Sequence, residues 1–276
     1  MSYVILDLEW NSTKVNKSKP YLNEIFQFGA IKVDENLEVI DTFEALIKPQ
    51  MSREFNPFVK NLTKVSFEEL ENAPYVFETA LDEFADFLGD SVLLTWSSSD
   101  ILALIDNKKF FMYSSKLYFI KKFCDLQSYC EYRLGMENTT RHLGLSACAD
   151  LLEISVGDGL HSALYDAKLS LECLRKTYDK DILDAFTEDA SKNEFYRKLT
   201  FRSKSITSLN DPLINKKMLY FDCPECKVRC VQKSRWNREK HKFSAYFLCP
   251  KCKKQFTGEV RVKQKYEGIV VKKTIL

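Results

Sequence analysis

The chain has 276 residues, 45% hydrophobic and 29% charged, with a formal net charge of +2. That length suits one sizeable core and a small second module, and no apolar run approaches the length of a membrane span. The first strand begins at Tyr3, leaving no room for a signal peptide, and nine Cys without a secretory segment predict a reducing, cytoplasmic setting with metal rather than disulfide use.

A buried strand is predicted over 3–9, in the run YVILDLE. Asp7 and Glu9 stand where packing would prefer apolar groups. Two apart on a strand, they point to one face. Adjacent carboxylates repel, and holding them together without a cation is costly. Oxygen-only ligands suit Mg²⁺ or Mn²⁺. The connection that follows, NSTKVNKSKPYLN, is long, polar and partly basic, and is expected to flank a substrate channel.

Strands are predicted next at 24–33 and 39–48, then helices at 66–72 and 76–88. A strand at 91–96 leads into a helix from Asp100. Taken alone, Asp100 reads as an N-cap, a duty for which Ser97, Ser98 and Ser99 compete. A strand near 118–125 precedes helices near 126–134, 142–153 and 160–178. The last contains GDGLHSALYDA, with His161 and Asp166. Asp166 alone suits the helix N-terminal dipole. Five residues along one continuous helix turn about 500°, so the two side chains diverge by roughly 140°. They converge only if His161 lies on the loop and Asp166 in the opening turns. Gly157 and Gly159 make such a loop feasible. His142 has no partner motif and reads as structural. Cys124, Cys130, Cys148 and Cys173 have core-like neighbours and read as small buried hydrophobes.

Residues 179–218 are polar and read as a helical tether and linker. The tail from 219 differs in charge. Residues 216–276 hold 17 Lys and Arg against 5 Asp and Glu; the remaining residues hold 24 against 34. A basic module joined to an acidic one points to polyanion capture by the tail. Cys223-Pro-Glu-Cys226 and Cys249-Pro-Lys-Cys252 are two C-x2-C knuckles. Four thiolates from two tight turns give the closed tetrahedral set of a structural Zn²⁺. The runs YFDC, VRCVQ, YFLC, FTGEVRVK and YEGIVVKK read as short strands, so the tail resembles a β zinc ribbon. Cys230 reads as a spare thiol, and His241 stays open as an alternative ligand. Arg235, Trp236 and Arg238, with Lys240 and Lys242, lie between the knuckles as candidate phosphate and base contacts.

Asp7-x-Glu9, Asp100 and His161-x4-Asp166 occur in the order of the DEDDh family of 3′→5′ exonucleases, which the chain resembles over residues 1–178. EIFQFGAIKVDENLEVIDTFEALIKP and NPFVKNLTKVSFEELENAP resemble segments of the same family, and the pattern is nearest its Eri-type and KapD-like branch. The resemblance implies an α/β, ribonuclease-H-like mixed sheet flanked by helices. It implies two Mg²⁺ or Mn²⁺ ions, with Asp7 bridging them, Glu9 and Asp166 completing the set and Asp100 in support. His161 is then the general base. The expected substrate is the 3′ end of single-stranded RNA or DNA, with RNA favoured by the branch, and the expected product is nucleoside 5′-monophosphate. Trp10, Phe26, Phe28 and Trp96 are candidates to stack on the terminal base, although core packing competes for the two Phe. A nucleic-acid-binding protein with weak catalysis is the alternative, and a protein partner for the ribbon stays open.

Overall fold

β1 (Tyr3–Lys14) alternates strictly at its start, sending Val4, Leu6 and Leu8 to one apolar cluster and Tyr3 and Ile5 to another. The strand is therefore central, with packed layers on both faces. The computed structural model describes residues 1–15, 21–63, 65–136, 142–157 and 162–276. β1 pairs antiparallel with β2 (Tyr21–Val33), which pairs antiparallel with β3 (Val39–Leu46). On its other side β1 runs parallel to β4 (Val92–Thr95), which runs parallel to β5 (Lys122–Asp125). β6 (Glu188–Asp189) closes the order β3-β2-β1-β4-β5-β6. The mixed α/β fold expected from the sequence is the one observed.

The helices in chain order are α1 (Pro57–Leu62), α2 (Phe67–Glu71), α3 (Phe77–Leu88), α4 (Ser99–Phe111), α5 (Leu126–Arg133), α6 (Leu145–Leu151), α7 (Ala163–Thr177), α8 (Lys180–Phe186) and α9 (Asn193–Leu199). Phe77, Leu81 and Phe84 of α3 and Ile101 and Leu104 of α4 cover the Val4/Leu6/Leu8 face. Tyr129 of α5, Cys148 of α6 and Leu171 and Leu174 of α7 cover the Tyr3/Ile5 face. Cys124, Cys130, Cys148 and Cys173 are buried. Asn11–Lys14, expected as connection, instead extend the β1–β2 ladder opposite Tyr21–Glu24, past an irregularity between Glu9 and Trp10.

The tether reading of 179–218 gives way to a different division. The chain forms two compact units, Met1–Leu199 and Thr200–Leu276. α8 and α9 belong to the first: Leu183 is fully buried, and the ring of Phe195 meets that of Phe123 at 5.5 Å. Apolar residues at helical spacing carry that signal beneath a polar average. Residues 200–218 belong to the second unit, where Ile206, Leu209 and Ile214 enter the core.

That second unit is a sheet of β7 (Lys204–Ser205), β8 (Val231–Gln232), β9 (Asn237–Glu239), β10 (Lys242–Leu248), β11 (Gln255–Lys265) and β12 (Gly268–Ile275). The order is β12-β11-β10-β8, with β7 beside β11 and β9 beside β10. One face packs Phe243, Ala245, Phe247, Phe256, Val260 and Val262 against Phe221 and the cysteines. Among the described residues no helix is long and apolar enough to cross a membrane.

Candidate active site and zinc site

Asp7 and Glu9 continue the face of β1 that begins with Tyr3 and Ile5. The apolar layer ends there, and α7 arrives with Asp166 in its first turn. Gly29 of β2, paired with Asp7, makes the arrival possible: a Cβ at Gly29 would lie 2.0 Å from Leu164 N. Gln27 Oε1 accepts from Ala163 N at 3.4 Å, which ties the helix start to the same strand. Carboxylate oxygens of Asp7, Glu9 and Asp166 consequently lie within 4.8 Å of one another.

Asp100 is 4% exposed at the start of α4. It does not cap that helix. Its Oδ1 accepts from Leu8 N at 3.1 Å, so it braces the residue between the two strand carboxylates from the neighbouring element. It stands outside the 4.8 Å set formed by the other three.

The electrostatics are strained in the way the sequence implied. Burial holds the Asp7 carboxyl well above its usual range, and the charges of Asp100, Glu9 and Asp166 add to it. Burial, then Asp166, pushes Glu9 up to about 7. Burial also pushes Asp100 up to about 8, against the pull of two backbone N–H groups, its own and that of Leu8. Among the described residues no Lys or Arg forms an ion pair with Asp7, Glu9 or Asp100. The donor set is hard oxygen and converging, and it fits divalent cations.

Asp7, Glu9 and Asp166 open into a cleft of about 400 Å³ whose lining includes Trp10, Ser12 and, from α1, Phe58, Val59 and Leu62. Phe58 is 73% exposed. The sequence reading did not place α1 here, although Asn56 before Pro57 is a helix-start signal. The cap is realised: Asn56 Oδ1 accepts from Phe58 N and Val59 N at 3.1 and 3.0 Å. Two buried polar residues hold the preceding loop. Glu24 accepts from Gln50 N, Met51 N and Ser52 N at 2.7, 2.7 and 2.6 Å. Asn11 donates to Ser52 Oγ and Glu54 O and accepts from Asn56 N. In the sequence both read as ordinary strand and connection polars, and nothing in their neighbours marks them.

The stacking candidates separate. Trp10 lines the cleft. Trp96 donates to Leu143 O at 3.3 Å and packs on the second core cluster, away from the cleft lining. Phe26 and Phe28 need correcting. Both are buried, Phe26 edge-on to Phe55 and Phe28 against Phe43 and Phe84, so neither ring is available to a base. His161 and Gly159 lie outside the described residues. His142 faces the buried Glu131 at 3.2 Å.

In the second unit, Sγ atoms of Cys223, Cys226, Cys249 and Cys252 lie within 4.8 Å of one another. Pairs stand at 3.3, 3.6 and 3.8 Å. Ligands at ~2.3 Å around a tetrahedral Zn²⁺ sit about 3.8 Å apart. The two knuckles are copies of one turn. Lys227 N donates to Cys223 O and Lys253 N to Cys249 O, with Lys227 and Lys253 both at positive φ. Backbone N–H groups of the knuckle, led by Cys252, pull the Cys249 thiol down to about 6. The donor set fits zinc. Cys230 and His241 lie outside it. Arg235 and Arg238 are exposed, but Trp236 packs edge-on to Phe247 in the ribbon core at 5.8 Å.

A model of the RNase T family, described as exonuclease, matches residues 4–174. The PolC-type DNA polymerase III of Caldanaerobacter subterraneus subsp. tengcongensis is 25% identical over 179 residues, covering 64% of this chain and 12% of that protein. The 3′-5′ exonuclease DinG of Staphylococcus epidermidis is 27% identical over 195 residues, covering 71% of this chain and 20% of that protein. The chain thus spans a fifth or less of the length of these two relatives. In fold it is similar to a full-length 3′-exonuclease, with TM-score 0.55, 18% identity and coverage of 66% and 83%. It is also similar to E. coli Exonuclease I in complex with a dA16 oligonucleotide, with TM-score 0.52, 13% identity and coverage of 89% and 54%.

Proposed function

Because the chain belongs to the RNase T family of exonucleases, we propose that its first unit removes nucleoside 5′-monophosphates from the 3′ end of single-stranded nucleic acid, with RNA as the favoured substrate. The observation that carries this reading is the convergence of Asp7, Glu9 and Asp166 within 4.8 Å at the floor of an open cleft.

Asp7, Glu9 and Asp166 would hold two Mg²⁺ or Mn²⁺ ions, with Asp100 in support. Ions bound there supply charge neutralisation for the phosphate and the placing of a water in line with it. Asp100 fixes the backbone between the two strand carboxylates through Leu8 N. His161, which precedes α7 in the sequence, takes the proton from the attacking water. Trp10 and Phe58, both in the cleft lining, flank the terminal base. The ribbon holds one structural Zn²⁺ and, with its basic surface, retains the strand between cuts. A chain with nine free cysteines, four of them gathered in one site, is suited to the reducing cytoplasm.

RNA is favoured by the likeness of the sequence pattern to the Eri-type and KapD-like branch. DNA is the second reading, and it draws on PolC and on Exonuclease I bound to dA16. A role in binding without turnover fits poorly with four buried or half-buried carboxylates kept together at electrostatic cost. The test is digestion of matched 5′-labelled RNA and DNA oligomers with Mg²⁺ or Mn²⁺. A ladder shortening from the 3′ end, faster on RNA, is expected. Absence of any ladder on both polymers would overturn the assignment, and faster loss of DNA would overturn the RNA preference.

A further inference from the structure

The ribbon sheet has two faces, and only one is spoken for. Phe243, Ala245 and Phe247 of β10 and Val260 and Val262 of β11 turn into the core. The alternate residues turn the other way: Lys242, Ser244 and Tyr246 on β10, and Arg261, Lys263 and Lys265 on β11. By register, Lys272 and Val270 of β12 join them, opposite Arg261 and Lys263. Tyr246 is 64% exposed and Val270 45%.

This face carries an electrostatic cost. Arg261 stands directly opposite Lys272, and like charges so placed destabilise a sheet. One carboxylate relieves it in part. Glu259, 7% exposed, accepts from Lys242 at 2.8 Å and pairs with Arg261 at 3.5 Å. It thereby fixes two cations on the face, while Lys263, Lys265 and Lys272 take no part in the ion pairs of the described residues in this unit. A row of cations retained against repulsion, on a sheet that also exposes a ring, suits a polyanion with flat groups.

We propose that this outward face of β10, β11 and β12 is a binding track for single-stranded nucleic acid, with phosphates on Arg261, Lys263 and Lys272 and a base on Tyr246. It rests on the reading of the chain as an exonuclease but adds a site distant in sequence from the carboxylates. Cations at alternate residues of β11 repeat every ~6.8 Å, and the line from Tyr246, paired with Thr257, to Lys265 runs about 27 Å. That spans several nucleotides of an extended strand. The arginines between the knuckles are not part of the track. Arg238 pairs with the core-facing Phe243, which turns it to the opposite side from Lys242 and Tyr246.

The test is fluorescence anisotropy with a 5′-labelled single-stranded RNA 20-mer, using the full chain carrying D7N to prevent cutting. Adding R261E, K263E and K272E should weaken binding at least tenfold. It should also lower the slope of log affinity against log salt by about 2, since each lost phosphate contact on a single strand removes ~0.7. The milder K263Q/K272Q pair should weaken binding about threefold or more and keep one zinc per chain, which separates lost contacts from lost folding. Y246A should weaken binding at unchanged salt slope, as expected for stacking. R235E/R238E should stay within about threefold. If K263Q/K272Q and the triple variant bind as the D7N chain does, the track does not exist and the face serves an acidic protein surface instead. An equal loss from R235E/R238E would also overturn it. Cleavage of a dinucleotide by the chain with Asp7 intact tests the exonuclease reading separately, and its failure leaves the binding result interpretable.

Discussion

Gly29 on β2 lies against the backbone of Leu164 in the first turn of α7, so closely that a Cβ would fall 2.0 Å from Leu164 N and 2.2 Å from Ala163 C. No flexible side chain stands there to yield. The contact seats Asp166, two residues on, beside Asp7 and Glu9. Gly29→Ala should therefore cost about 1–3 kcal/mol of stability through overpacking. It should also lower kcat by roughly 100-fold, because a shift of ~1 Å at a catalytic group has that effect. Urea melts and single-turnover hydrolysis measure the two separately. Full activity in Gly29→Ala would mean that the helix seat does not set the carboxylate geometry.

Much of this arrangement is legible without coordinates. Asp7 and Glu9 interrupt an otherwise apolar strand, and such an interruption is visible in the sequence itself. The paired cysteines announce a site by spacing alone. Relations set by tertiary contact are not legible in that way. Gly29 reads as an ordinary strand glycine until α7 is placed on it. Phe26 and Phe28 lie on the strand that pairs with the carboxylate strand, yet both are buried, Phe28 against the α3–α4 layer and Phe26 against Phe55. Asn11 and Glu24 look like exposed hairpin polars, and their role depends on a loop 26 or more residues away.

The Asp7 carboxyl feels the charges of Asp100, Glu9 and Asp166 together. Asp7→Asn should reduce turnover by at least about 100-fold with Mn²⁺. In divalent-free buffer the same change should raise the melting temperature, because it removes an acid whose ionised form is disfavoured by burial and by the neighbouring carboxylates. The rise should be about 2–4 °C for each kcal/mol of repulsion relieved. Differential scanning fluorimetry with and without Mn²⁺ measures it, and the native chain should gain more from Mn²⁺ than the variant. A variant that melts lower in both buffers would contradict the electrostatic account.

The loop before α1 is held by Glu24 through three backbone N–H groups. Glu24→Ala leaves those donors without their acceptor inside the protein, at a cost of about 1–3 kcal/mol each where water cannot reach them. The wall carrying Phe58 should loosen while the carboxylates stay in place. KM for an oligomer should rise several-fold with kcat nearly preserved. A loss confined to kcat would show that the loop acts on the carboxylates rather than on substrate.

His161 is assigned as the base from its motif. A base works when neutral, so kcat should fall as pH drops through the imidazole range near ~6.5. His161→Ala should flatten that limb and slow turnover by roughly 100-fold or more. Mn²⁺ affinity, read by isothermal titration, should change little. A large loss of affinity would move His161 into the ligand set.

The second unit should depend on a metal held by its four clustered cysteines. Its core is small, and Cys223 and Cys249 are fully buried within it, so thiolates left there without an ion would be costly. Binding energy at a four-thiolate zinc site is largely folding energy. Metal analysis of the purified chain should find about one zinc beyond any divalent ion in the carboxylate cleft. Replacing Cys223 and Cys249 together by Ser removes one ligand from each knuckle and should release that zinc. Limited proteolysis should then cut within 200–276 while 1–199 resists, because its two apolar clusters contain none of the four cysteines. Dinucleotide hydrolysis should persist in the variant, whereas affinity for a 20-mer should fall with the loss of the folded ribbon. A double Ser variant that keeps zinc, or that resists protease throughout, would show that the cysteines are not what folds the unit.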